Sequence, residues 1–308
     1  MTQPDPVTPG SQPAGRVGPV LARTRAELTA ALAGRPAATG QAYGRCVVMT
    51  MGALHPGHLS LVARARELAA QVVVTIFVNP LQFGAGEDLE RYPRDLAGDL
   101  ERLAGAGADI VFAPTSDVVF PAGEPVVRVS AGRLGEVLEG AARPGHLDGV
   151  LTIVLKLMHL VGPDVAVFGQ KDAQQVMAVQ AMVRDLDVPV AIVAAPTVRA
   201  ADGLALSSRN AFLATADRER ALALSRALRA GGDAARQGAG ADAVRGAARA
   251  ALDPVEPDYL ALVDPRTAAE VPAGYRGPVV LAVAARIGET RLIDNVPLWL
   301  GEHEETDA

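Results

Sequence analysis

The chain has 308 residues, 49% hydrophobic and 21% charged, a composition that folds in water and suits one large or two ordinary domains. Lysine and arginine number 29 against 35 aspartates and glutamates; the formal charge of −6 disfavours tracking of a nucleic-acid backbone, which needs a cationic surface. A single cysteine, Cys46, excludes an internal disulfide and a cysteine-rich metal cage, and points to a reducing compartment.

Residues 1–19 hold five prolines and three glycines, without the basic start and apolar run of a signal peptide. They are expected to form a disordered tail, because they bury too little to offset their ordering entropy. Residues 24–33 have helical character, and 35–44 read as a Gly/Ala/Pro connection. A short apolar run at 46–50 ends in Met51-Gly52. Leu61, Val62, Ala65 and Leu68 fall at helical spacing within 58–69. Residues 71–78 are β-branched and almost continuously apolar, as in a strand covered on both faces, and stop at Asn79-Pro80. A helical stretch at 95–104 leads to a strand candidate at 109–112. Segments 150–160, 165–168, 171–184 and 188–193 repeat the alternation. The longest apolar stretches, such as 150–155, are broken by Lys, Asp or Pro well short of a membrane span. A cytoplasmic protein with no membrane and no nucleic-acid partner is expected.

Strand–helix–strand units at this spacing predict an α/β domain over 20–200, a parallel sheet with helices on both faces. Ligands of such sheets bind beyond the carboxyl ends of the strands. Beyond about Asn210 the texture changes. Helices rich in Ala, Arg and Leu at 214–230 and 241–252, joined by a Gly-rich connection at 231–240, precede short strands at 259–263, 279–283 and 290–293. They predict a smaller α+β domain over 201–308, the boundary falling within 196–212.

Four strings could carry chemistry. Met51-Gly52-Ala53-Leu54-His55-Pro56-Gly57-His58 lies between a strand and a helix. Its glycines permit close backbone approach, and the helix start offers free N–H groups and partial positive charge to a phosphate. Helix capping by the histidines, or a His-x-x-His metal pair, are the alternatives. Phe168-Gly169-Gln170-Lys171-Asp172 repeats the strand-end context: Lys171 is a point charge for phosphate oxygens, and Asp172 could orient a ribose or a metal-bound water, or simply cap a helix. Asp202-Gly203-Leu204-Ala205-Leu206-Ser207-Ser208-Arg209-Asn210 places two hydroxyls and a guanidinium on a flexible loop, suited to clamping phosphates or equally to a solvated turn. In Asn79-Pro80-Leu81-Gln82-Phe83, Gln82 stands just beyond a strand; with Gln175 it offers neutral donors and acceptors suited to a hydroxy acid, the plain alternative being surface polarity.

Together with Arg91-Tyr92-Pro93-Arg94, residues 149–157 and residues 286–295, these strings resemble the pantothenate synthetase (pantoate–β-alanine ligase) family, in its order and over nearly the whole chain after the tail. The resemblance implies a Rossmann-like nucleotidyltransferase domain with a C-terminal domain that lids the site, a homodimer, and Mg²⁺ with ATP as cosubstrate. It implies an ATP site at Met51, Gly52, Ala53, Leu54, His55, Pro56, Gly57, His58, Gly169, Gln170, Lys171, Asp172, Val198, Leu206, Ser207, Ser208 and Arg209. The catalytic groups would be His55, His58, Lys171 and Arg209, with His58 in the proton-donor role. Gln82 and Gln175 would hold pantoate, Gln82 would also face β-alanine, and Asp99 would help hold magnesium. Two positions depart from the family: Met49 stands where proline is usual and Leu206 where methionine is common. Both stay apolar, so altered packing and no lost chemistry is expected.

Overall fold

The computed structural model describes residues 18–33, 40–84 and 89–301. The expected tail therefore lies outside the described residues, except for its last two positions. The first unit runs β1 (Val20–Ala22), α1 (Arg25–Leu32), β2 (Tyr43–Thr50), α2 (Pro56–Leu68), β3 (Ala69–Ile76), α3 (Leu96–Ala106), β4 (Ile110–Phe112), α4 (Ser116–Val119), α5 (Glu139–Ala142), α6 (His146–Val161), β5 (Val165–Gly169), α7 (Ala173–Asp185) and β6 (Ala191–Ala195). Among the described residues its strands form a six-stranded parallel sheet in the order β1-β4-β3-β2-β5-β6. The α/β expectation holds. β1, α4 and α5 were not foreseen, being three or four residues long and too short to show a period.

The central strands are buried on both faces, and their side chains alternate between two cores. Val47, Val73, Ala166 and Phe168 face the core shared with α6 and α7. Cys46, Val48, Val72, Val74 and Val167 face the core shared with α2 and α3. From β2 the chain winds outward through β3 to β4, then returns to lay β5 on the other flank of β2. The crevice beyond the carboxyl ends of β2 and β5 is therefore the topological switch point, where sheets of this kind bind ligands.

The second unit comprises α8 (Thr215–Arg236), α9 (Ala241–Leu252), β7 (Tyr259–Val263), β8 (Gly277–Ile287) and β9 (Thr290–Leu300). Its three strands form an antiparallel sheet in the order β7-β8-β9, closed onto the helices by Leu224, Leu228, Val244, Leu252, Leu262 and Leu281. The structure corrects the Gly-rich connection expected at 231–240, because α8 continues through Gly231 and Gly232 to Arg236. Glycine costs a helix about 1 kcal/mol relative to alanine. A Cβ at Gly231, however, would collide with Leu281 of β8 and press on Ala248 of α9, so the glycine is what lets α8 approach so closely. Packing overrides propensity there. β8 and β9 also run farther than the expected 279–283 and 290–293, as an eleven-residue hairpin pair turned at Gly288, which has φ +57°.

Partly buried polar contacts through Glu139 join the two units. Arg291 of β9 donates to both carboxylate oxygens of Glu139 at 2.8 and 2.7 Å and to Asp258 at 2.7 Å, while the Tyr259 hydroxyl donates to Glu139 at 2.9 Å. Burial and the facing carboxylate push the Tyr259 phenol up, so it stays a neutral donor.

Candidate active site

Four strand ends supply the site. His55 is the N-cap of α2: its Nδ1 accepts from the Gly57 N–H at 3.1 Å, and the His58 Nδ1 accepts from the His55 N–H at 3.3 Å. The capping alternative is therefore true, and it leaves the far ring nitrogens unused. With both Nδ1 atoms accepting, the network assigns the proton of each neutral ring to Nε2, making it a donor. The rings lie 4.1 Å apart, tilted by 41°. Burial, then the Lys171 charge, lowers the His55 pKa. Burial, then the neighbouring His55, pushes His58 down to about 4. Both imidazoles are thus neutral hydrogen-bond donors at pH 7, at a helix start whose free N–H groups favour an anion. Gly57 is required here, since a Cβ would stand 2.8 Å from the His55 Cε1.

The loop from Met51 to Leu54 is fixed from α3. Asp99, 1% exposed, accepts from the Ala53 N–H at 2.9 Å on one oxygen and from the Leu54 N–H at 2.8 Å on the other, with Arg102 3.4 Å away. Gly52, at φ +85°, passes over this carboxylate, where a Cβ would lie 3.1 Å from Oδ2. These contacts make Asp99 the anchor of the loop, with one backbone N–H on each of its oxygens. No group of three or more His, Cys, Asp or Glu side chains that could hold a metal occurs among the described residues.

Beyond β5, Lys171 lies 3.5 Å from Asp172. Asp172 occupies the N-cap position of α7 but makes no side-chain cap bond, so capping does not explain it. The Lys171 and Arg209 charges hold its half-exposed carboxyl below the usual carboxylate range. Lys171 and Asp172 also act on both histidines, which places the groups after β2 and β5 in one electrostatic cluster.

Beyond β6 the chain turns back on itself. The Leu206 N–H donates to the Val198 carbonyl at 2.9 Å, Arg199 bridges Ala205, and Gly203 makes the turn at φ +93°. The segment expected to be a loop thus contains a short paired hairpin. It seats the Leu206 Cβ 3.9 Å from where a Gly57 Cβ would lie, leaves Ser207 and Ser208 half-buried, and leaves Arg209 exposed. Leu206 thus fills its position by packing, as does Met49, which packs against the larger core.

Beyond β3, Gln82 donates to the Met51 sulfur at 3.0 Å and accepts from Asn79 at 3.1 Å, linking it to the histidine loop. Gln175 stands half-buried in the first turn of α7. Sequence reasoning assigned no role in this site to three neighbours of Gln82. Asn79, 1% exposed, also donates to the Gly149 carbonyl at 3.1 Å, while His146 Nδ1 at 2.8 Å and Arg143 at 3.3 Å hold the Gln82 carbonyl. The signal for Asn79 was inside its own string; that for His146 and Arg143 was not, because they lie more than 60 residues away.

A parallel sheet with two histidines and a lysine charge gathered at the switch point over a helix start is an α/β architecture of the Rossmann-like class. A model of the family described as pantoate-beta-alanine ligase matches residues 21–297. Pantothenate synthetase of Thermobifida fusca is 56% identical over 292 residues, covering 92% of this chain and 96% of that protein. That of Nocardioides sp. is 56% identical over 294 residues, covering 92% and 86%. Among solved structures, pantothenate synthetase from Thermus thermophilus is 46% identical with a TM-score of 0.81, over 90% of this chain and 98% of that one. Pantoate-beta-alanine ligase from Francisella tularensis, complexed with beta-gamma ATP and beta-alanine, is 30% identical with a TM-score of 0.71, over 90% and 97%. The chain belongs to the pantoate–β-alanine ligase family.

Proposed function

We infer that this chain joins pantoate to β-alanine in an ATP-dependent, AMP-forming ligation through a pantoyl adenylate. The observation that carries the reading is the convergence of two neutral Nε2–H imidazoles with the Lys171 charge at the start of α2, with Arg209 acting on the adjoining Asp172. A carboxylate acylates poorly because its leaving group would be oxide. Attack of the pantoate carboxylate on the α-phosphate of ATP forms a mixed anhydride and expels pyrophosphate. Charge grows on the phosphoryl oxygens and on the bridge to pyrophosphate, where His55, His58, Lys171 and Arg209 are assigned to stabilise it. His58 can pass a hydrogen bond to the leaving oxygen without carrying a charge. The β-alanine amine then attacks the acyl carbon and releases AMP. Gln82 and Gln175 are assigned to pantoate, Gln82 also facing β-alanine, because neutral amides bind a carboxylate without damping its attack.

Magnesium enters this reading on the ATP phosphates. Among the described residues no cluster of three or more His, Cys, Asp or Glu side chains makes a cage for it. Water must be excluded while the adenylate waits, which gives residues 201–308 a lid role over a domain of residues 20–200. A homodimer is part of the same reading. No helix among the described residues is long and apolar enough to cross a membrane, and the buried lone Cys46 suits the cytoplasm.

Heavy oxygen in the pantoate carboxylate tests the order of bonds. The adenylate route sends one label to AMP and keeps one in the amide. Attack on the γ-phosphate would instead yield ADP and labelled inorganic phosphate, and no Gly-x-x-x-x-Gly-Lys-Ser/Thr string for that chemistry occurs in the chain. A nucleotidyltransferase that makes a stable nucleotide product would need no amine. ADP, or unlabelled AMP, overturns the reading.

A further inference from the structure

The segment 286–295 crosses from the β8–β9 hairpin toward the crevice. Its last residue, Asn295 of β9, is 3% exposed and points away from its own sheet into the first unit. Its amide donates to the Gln170 carbonyl at 2.8 Å and to the Lys171 carbonyl at 2.9 Å, and accepts from the Gln170 side chain at 3.2 Å. The two carbonyls flank the Lys171 α-carbon. Fixing both peptide planes fixes the direction in which the lysine side chain leaves the backbone. An amide is suited to this: its two N–H groups serve the two carbonyls while its oxygen still accepts. A carboxylate in the same place would set like partial charges against both carbonyls.

The residue before it completes the arrangement. Asp294, 4% exposed, accepts from the Asn295 N–H at 2.8 Å and holds the Arg199 guanidinium through two bonds at 2.6 and 2.9 Å. Arg199 begins the hairpin that ends in Ser207, Ser208 and Arg209. One dipeptide of β9 thus ties the second sheet to two of the segments that bring cations to the crevice.

We propose that Asn295 is a positioning residue, whose amide sets the backbone of Gln170 and Lys171 so that the lysine ammonium meets the triphosphate of ATP. This rests on the assignment of Lys171 to ATP in the proposed function. The expected effect is large for a residue that touches no substrate, since a misplacement of about 1 Å can cost ~10²-fold in rate.

The test is single-turnover adenylate formation in N295A, K171A and the double variant, beside the wild type. N295A should slow the step ~10–100-fold, and aminolysis of supplied pantoyl adenylate should change by less than about 3-fold. The double variant should be no slower than K171A, because a residue that acts through Lys171 has nothing left to position. Chemistry offers a second readout: Lys156 and Lys171 are the only lysines in the chain. Amine labelling mapped by mass spectrometry should show ATP protecting Lys171 in the wild type and protecting it far less in N295A, with Lys156 unchanged. N295S, which keeps one donor, should fall between the two and serves if N295A folds poorly. K171A at the wild-type rate overturns the assignment of Lys171 to ATP and with it this proposal. K171A slowed, with N295A at the wild-type rate or with losses that multiply in the double variant, overturns the positioning role alone.

Discussion

The histidine loop and the hairpin at 198–210 both bring candidate groups to the crevice, but they are held in different ways. The loop belongs wholly to the first unit: a buried carboxylate from α3 grips two of its N–H groups, and the two imidazoles cap α2 reciprocally. The hairpin hangs from the second sheet by the Arg199–Asp294 pair and ends in an exposed Arg209. The difference separates two tasks. Under the proposed function, the groups assigned to the reacting phosphate are set before substrate arrives, which is what electrostatic preorganisation requires. A group on an exposed loop end is free to close on the ligand afterward.

Removing the preset groups should cost most. His55→Ala, His58→Ala and Lys171→Ala should each slow adenylate formation roughly 10²–10³-fold, the usual loss for one electrostatic contact in a preorganised site. Supplied pantoyl adenylate should partly rescue all three. Single-turnover rates equal to wild type in every variant would show that the crevice is not where ATP reacts.

Breaking the anchor and leaving the histidines in place sharpens the same contrast. Asp99→Ala orphans the Ala53 and Leu54 N–H groups, a loss of about 1–3 kcal/mol for each that stays buried and unpaired. Thermal melting should drop, and adenylation should slow even though no candidate catalytic side chain has changed. Added magnesium should not restore the rate. Restoration by high magnesium would return Asp99 to the metal role that the resemblance implies.

This contact also marks where sequence reading stopped. The histidine string is legible because its chemistry is local: two imidazoles, two glycines and a proline at N1 sit within eight residues. Asp99 and the N–H groups it holds are 45 and 46 residues apart, and Asn295 lies 125 residues from Gln170. Only the sheet topology brings such pairs together. The sheet itself was legible because buried parallel strands read as continuous apolar runs. The passage of α8 through Gly231 and Gly232 was not, because it depends on Leu281 lying opposite.

Acidification probes the preset histidines directly. Unfolded histidine titrates near 6.5, and His58 in the folded chain near 4. Between those values the unfolded chain takes up a proton that the folded one refuses. Stability from this group is therefore complete above about 6.5 and is lost as pH falls toward 4, by at most about 3 kcal/mol. Urea midpoints at pH 7 and 4.5 should diverge more in the wild type than in His58→Ala. Equal divergence would mean that His58 is not held neutral by burial.

Substrate selectivity is expected to lie with the amides beside the loop. Gln82→Ala and Gln175→Ala should each weaken pantoate by about 1–3 kcal/mol, since its polar groups lose partners. The effect should appear in the KM for pantoate and far less in that for ATP. Equal weakening of both substrates would make these glutamines supports of the fold.

Cys46 marks the floor of the scale. It lies in β2, the strand that delivers the histidine loop, yet it is wholly buried in the core between the sheet and α2, five residues before the first loop position. Burial pushes its thiol up to about 12, so almost no thiolate exists at neutral pH for nucleophilic or metal chemistry. A small apolar residue satisfies everything the position asks. Cys46→Ala should cost on the order of 1 kcal/mol in stability, through a small void in a core strand, and leave turnover within a few-fold. The native protein should also resist alkylation at pH 8 and react once unfolded. Near-total loss of turnover in a folded Cys46→Ala variant would place a reactive group where the fold shows only packing, and would move part of the chemistry from the loop into the strand.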